Sequence, residues 1–221
     1  MNTKYNLLLT DSLKYSITKI LPGIMGLISV ILIIKMIGTE EYGKYSILNS
    51  FIMTLTAFSG GWLNQSLLRY YPGNNDKKKI GYQAFLCLII SAASGILILL
   101  GIYIIKGDSF FQHTNTLLVI FFYVAVLLYQ FQISVYRSQI RPNMVILISS
   151  IQSILALIMP LFFIYYFGSK VKYIILGLSI AYLVPNIKNL LFKIFSIQRI
   201  LQFKKASYSL LFELFKFGWP L

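Results

Sequence analysis

The chain is poor in most of the groups that soluble chemistry uses. It has one histidine, one cysteine, and six Asp and Glu residues in 221. A lone Cys87 excludes an intramolecular disulfide and reads as a small packed apolar residue. A lone His113 has no second ligand, so no metal site is expected. Acidic residues are missing from the middle of every long apolar run. The carboxylate that couples many transporters to protons or sodium is therefore not visible in this chain. Charged residues make up only 12% of the chain, against about 25% in an average soluble domain. No cleavable leader is evident either. The first apolar run contains Pro22 and is followed by Thr39-Glu40-Glu41 rather than a small-residue cleavage site, so it is expected to stay as an anchor.

What is present is apolar length. Uncharged runs lie between Lys19 and Lys35, Lys44 and Arg69, Lys79 and Lys106, His113 and Arg137, Arg141 and Lys170, and Lys172 and Lys188. They hold 15, 24, 26, 23, 28 and 15 residues. A spanning helix needs about 20 mostly apolar residues, because the hydrocarbon core is roughly 30 Å thick and a helix rises about 1.5 Å per residue. The two short runs are flanked by lysines whose aliphatic stems can reach the headgroups. The runs do not alternate apolar and polar as barrel strands do, and in lipid each backbone group must be paired within its own segment. The expectation is an all-α, multi-pass membrane protein with six transmembrane helices and the start of a seventh. Its segments would be a six-helix lobe over 1–187, a basic amphipathic linker over 188–206, and the opening of a second lobe over 207–221.

Net charge is +14. In a soluble chain this would suggest nucleic acid; here the cations fall between the runs, so no nucleic-acid partner is expected and the charge reads as topology. With the N-terminus inside, the outer segments hold Lys35, Lys44, Lys106, Lys170 and Lys172, and Lys216 lies in the seventh segment. The other fourteen of the twenty cations, all four arginines included, fall on the inner side. This bias predicts a cytoplasmic N-terminus. The connections are short. Thr39 is expected to cap the second helix, with Glu40 and Glu41 at its positive end, and Arg141-Pro142-Asn143 breaks the fourth helix from the fifth. Beyond the sixth run, Leu190, Leu191, Ile194, Phe195, Ile197, Ile200, Leu201 and Phe203 recur at helical spacing among lysines and an arginine. They suit a helix lying on anionic lipid, or else a plain extension of span six. Pro220 sits early in an inner-side-first segment as Pro22 does, a separation of 198 residues if the two align. Duplicated halves are common in transporters, and the reading is of a first lobe cut or frameshifted near the start of the second.

Three stretches carry a family resemblance. Gly38-Thr39-Glu40-Glu41-Tyr42-Gly43-Lys44-Tyr45 resembles the first hairpin turn of bacterial polysaccharide exporters, Leu67-Leu68-Arg69-Tyr70-Tyr71-Pro72 the end of their second helix, and Phe215-Lys216-Phe217-Gly218-Trp219-Pro220 the opening of their seventh. Their order and separation are similar too. The family is the Wzx-like O-antigen and capsule flippases of the MATE-like superfamily, of which the chain covers about the first half. The resemblance implies two six-helix lobes and alternating access driven by an ion gradient or the membrane potential, without ATP hydrolysis. It implies transport of an undecaprenyl-pyrophosphate-linked oligosaccharide from the inner to the outer leaflet of the bacterial plasma membrane. The implied partners are that substrate, membrane lipids, the missing second lobe or another copy, and the polysaccharide polymerase and chain-length machinery. No cofactor is implied.

Such a lipid needs cations for its phosphates and amides or hydroxyls for its sugars, because neither part crosses hydrocarbon unaided. Arg69 is the first candidate, since a guanidinium can grip phosphate with two parallel hydrogen bonds. Lys19, one turn before Pro22, and Arg137, at the inner end of span four, are further docking candidates, and Lys35 could receive phosphate on the outer side. Each is also explained as an interface anchor obeying the charge bias. Within the spans, Asn49, Asn64, Gln65, Gln130, Gln132 and Gln152 either line a wet cavity or bond neighbouring helices. Asn49 and Gln65 are the substrate candidates among them. Gln130 and Gln132, two apart, must point to different faces. Ser91-x-x-x-Gly95 and Gly23-x-x-Gly26 read as close helix contacts, and tyrosines near span ends as interface aromatics, a few able to stack on sugar. Alternatives are a MATE-type exporter of small cations, which would want intramembrane carboxylates, a membrane enzyme, which would want more than Asp108 and His113 in its longest outer loop, and a non-transporting truncated scaffold.

Overall fold

The computed structural model describes residues 2–72, 77–106 and 114–187, and these are helical almost throughout. Each uncharged run became a helix: α1 (Asn2–Ile37), α2 (Thr39–Tyr70), α3 (Lys77–Lys106), α4 (Thr116–Ser138), α5 (Pro142–Phe167) and α6 (Val171–Leu183), the last followed by a 3-10 turn over Val184–Asn186. The expected linker, the opening of a second lobe, Asp108 and His113 lie outside the described residues.

Among the described residues four helices are both long and apolar enough to cross a bilayer, within Thr18–Ile37, Gln83–Ile105, Thr116–Ser138 and Pro142–Phe167. The expectation of six such spans is thus met in part, and α2 and α6 fall short for different reasons. α6 is apolar, but even the stretch Val171–Asn186 is short for a 30 Å core. α2 has ample length, 32 residues, but is loaded with polar side chains. Those side chains are sheltered. α2 packs on α4 and α3 and also touches α1 and α6. Its Thr56, Ser59 and Ser66 hydroxyls are buried and donate to the carbonyls of Ile52, Leu55 and Trp62 at 2.7, 2.8 and 2.9 Å, so they present no unpaired group to an apolar surrounding.

The turn between α1 and α2 is a single residue. Gly38 has φ +83°, a conformation open to glycine, and the new helix starts at once. Thr39 is consequently the first helical residue, and no side chain caps it, contrary to its expected role. Glu40 and Glu41 do occupy the first turn, and the Lys44 ammonium meets them at 2.8 and 2.7 Å. Its hydrogen bonds to Glu40 and then Glu41 raise the Lys44 pKa above the ordinary lysine value. At α4 the cap is Asn115, whose Oδ1 accepts from the Leu117 amide at 3.0 Å.

Side by side, the helices run α1, α5, α6, α4, α2, α3, since the most extensive contacts join those successive pairs. α1 and α2 pack only lightly despite their one-residue turn. Small residues allow the tight joints. Gly177 of α6 lies against the backbone of Met159 and Pro160, closing on the point where Pro160 deprives α5 of an amide donor. Gly95 of α3 lies under the ring of Tyr123 from α4. That phenol is fully buried, donates to the Ser91 carbonyl at 2.8 Å and shares a 2.8 Å bond with Ser59 Oγ. One side chain thus ties α2, α3 and α4, and the Ser91–Gly95 pair is a close contact as the sequence suggested. Gly23 and Gly26 are not: no described atom approaches where their Cβ would be.

The bundle has two distinguishable ends. At one, Gln139 Nε2 donates to Tyr71 Oη at 3.1 Å, tying the ends of α2 and α4, and Arg69, Arg137 and Arg141 are at this arginine end. At the other, Ser169 Oγ donates to the Met36 carbonyl at 3.3 Å, beside Gly38. The outward faces are apolar, with Ile104 and Ile105 of α3 80% and 82% exposed and Leu27 of α1 68% exposed. Apolar surface on this scale requires a covering, which the hydrocarbon of a membrane supplies.

Candidate functional site: a polar cavity among four helices

Because α1 leans on α5 rather than α2, a cavity of about 300 Å³ is left between α1, α2, α5 and α6. Its α2 wall follows from spacing: Tyr42, Tyr45, Ser46 and Asn49 recur at three- and four-residue intervals and share one face. α5 contributes Gln152 and Ser153, α6 contributes Tyr182, and α1 contributes Ser29 along with Pro22 and Gly26. The rest of the wall, including Met25, Val30, Ile33, Leu157 and Leu178, is apolar. The glycine expected to make a helix contact, Gly26, instead gives the cavity room.

The aromatic groups are held by their neighbours. The rings of Tyr42 and Tyr45 are 5.5 Å apart, and the Tyr182 ring is braced at 5.2 Å by Tyr129 and at 6.0 Å by Phe122. Among the described residues no charged side chain lines the cavity. Two amides offer donors and acceptors at once, serine and tyrosine hydroxyls offer either, and the phenol rings offer apolar faces. Such a wall suits a neutral, many-hydroxyl molecule and offers no full charge to hold a bare ion. The volume is at the low end for ligand cavities. Among the described residues no His, Cys, Asp and Glu cluster could hold a metal.

Of the six substrate candidates taken from sequence, Asn49 alone lines this cavity; Gln152, an amide expected either in a wet cavity or between helices, lines it too. Arg69 is exposed in the last turn of α2, its guanidinium 5.9 Å from the centre of the neighbouring Tyr70 ring. Arg137 is half-buried in the last turn of α4, at the same end. Lys19 is exposed on α1, next to the start of its membrane-length stretch, and Lys35 is exposed in the last turn of that helix, at the Gly38 end. Gln65 is exposed on α2. The fold therefore brings Arg69 and Arg137 to one end and separates them from Lys35. Gln132 is buried and Gln130 half-buried, and neither lines this cavity. What the sequence reading missed was Tyr42, Tyr45, Ser46 and Tyr182 as cavity groups. The i, i+3, i+4, i+7 pattern ending at Asn49 was the available signal.

An α-helical protein with bilayer-length helices and a lipid-suited exterior belongs among membrane proteins. Comparison with protein families narrows this. The profile of the polysaccharide biosynthesis protein family matches residues 8–221, and the chain belongs to that family. Neither the curated proteins nor the solved structures include a match.

Proposed function

We propose that this chain is the first lobe of a flippase for surface-polysaccharide precursors, not an enzyme. Its substrate would be an undecaprenyl-pyrophosphate-linked oligosaccharide, moved by alternating access across the bacterial plasma membrane. The observation that carries the proposal is the cavity wall: amides, hydroxyls and phenol rings without a charge among the described residues, inside a helical membrane protein of the polysaccharide biosynthesis family. Sugars can exchange water for such groups at small net cost, whereas hydrocarbon offers them nothing. The arginine end suits the cytoplasmic surface by the distribution of positive charge, which would place Arg69 and Arg137 where the pyrophosphate loads. A complementary lobe, covalently joined or from another copy, would complete the passage, with the polymerase and chain-length machinery acting on the product.

The test is a deletion strain assayed by leaflet. Surface polysaccharide should fall, and lipid-linked repeat units should accumulate on the cytoplasmic leaflet while their synthesis continues. Normal surface polysaccharide, or units distributed as in the parent strain, would refute the proposal.

A further inference from the structure

A second cavity, of about 350 Å³, opens at the arginine end between the end of α2 and the α4–α5 turn. It is lined by Tyr71, Pro72, Ser138, Gln139, Ile140 and Arg141. It shares no residue with the four-helix cavity. Among the described residues its lining presents a guanidinium, a phenol, an amide and a hydroxyl, and no carboxylate.

The hydrogen bonds decide what these groups can still do. Tyr71 Oη accepts from Gln139 Nε2 at 3.1 Å, so the phenol proton is left to donate elsewhere. Ser138 Oγ is committed to the Val135 carbonyl at 2.8 Å. Arg141 is exposed, and among the described side chains the carboxylates, Glu40 and Glu41, are both engaged by Lys44 on α2's first turn, at the opposite end. The turn is also built in an uncommon way. Ile140 has φ +54°, a left-handed conformation that a β-branched residue adopts at a cost. The Arg141 amide reaches back to the Tyr136 carbonyl at 3.1 Å, and Pro142 opens α5. This tight reversal places Gln139 and Arg141 on one cavity. It lies where two bilayer-length helices end, which is the depth of lipid phosphates.

We propose that this cavity docks the anionic phosphoryl headgroup of a membrane lipid. Arg141 takes two phosphate oxygens through its paired N–H groups, and the Tyr71 hydroxyl donates to a third. The lipid is either a prenyl diphosphate or an anionic phospholipid of the bilayer. The site does not depend on the flippase reading, since a lobe that moved nothing would still bind the headgroup.

The full chain in detergent micelles is titrated with farnesyl diphosphate and with short-chain phosphatidylglycerol, phosphatidylcholine being the uncharged-overall control. At least one anionic probe should bind, the control should not compete, and added salt should weaken binding. Arg141→Gln should weaken it about tenfold or more. Arg141→Lys, which keeps charge without the fork, should fall between, and Lys170→Gln at the opposite end should leave it unchanged. Binding of the diphosphate alone would identify the prenyl lipid, and equal competition by phosphatidylglycerol the bilayer lipid; both support the site. Absence of binding by either anionic probe, wild-type affinity in Arg141→Gln, or an equal loss in Lys170→Gln would overturn it.

Discussion

Tyr123 shows how a single side chain can hold a membrane bundle together. Its hydroxyl meets Ser59 of α2 and the Ser91 carbonyl of α3, while its ring covers Gly95. Tyr123→Phe removes both bonds but keeps the ring, so the expected loss is about 1–2 kcal/mol, read as a lower unfolding temperature in detergent. Gly177→Ala should do more harm, because the new methyl would be 2.5 Å from the Pro160 nitrogen, a backbone atom with no rotamer to yield. Overpacking of this kind costs about 1–3 kcal/mol. Ile140 gives the opposite sign. Ile140→Gly relieves a left-handed β-branched residue whose side chain is exposed, and should raise stability by about 1 kcal/mol in the same measurement. Little of this was readable beforehand. The spacing of Ser91 and Gly95 marked a close contact, but the same spacing logic failed at Gly23 and Gly26. Spacing reports which residues share a face and not which helix, if any, lies opposite.

Among the elements, α2 is the one whose polarity needs a reason, and the cavity supplies it. Asn49 lines the cavity with Tyr42, Tyr45 and Ser46 on one helix face, opposite Gln152 of α5. Replacing Asn49 and Gln152 by leucine keeps approximate volume and removes the amides. The double variant should insert and fold as the parent does, yet fail to restore surface polysaccharide in a deletion strain; restored polysaccharide would show that the amides are not used. The helices themselves were legible because charge is excluded from hydrocarbon, so each uncharged run delimits one. The one-residue Gly38 turn was not, since a positive φ is a property of the folded backbone and Thr39-Glu40-Glu41 reads equally well as a cap. Nor was the cavity, because it depends on α1 choosing α5 over its sequence neighbour α2.

For the whole molecule, charge asymmetry and shape make one statement. The described arginines gather at one end of the bundle, and Glu40, Glu41 and Lys44 at the other. In cells, cysteines introduced one at a time at Lys78 and Lys170 should therefore be labelled from opposite sides of the membrane, with Lys78 reached only from the cytoplasm. Of the residues picked from sequence for their charge, the fold gathers Arg69 and Arg137 at the same end but places none in the neutral cavity. Composition could say that charge would be kept out of the helices; it could not say that charge and neutral polarity would be sorted to different depths.

The most direct measurement is site-specific photocrosslinking in living cells. A photoreactive residue at Asn49 should capture a sugar-containing, lipid-linked adduct, while one at Ile104, on the lipid-facing side of α3, should capture phospholipid without sugar. Absence of sugar in the Asn49 adduct, or equal sugar at both positions, would contradict the assignment of this cavity to the saccharide.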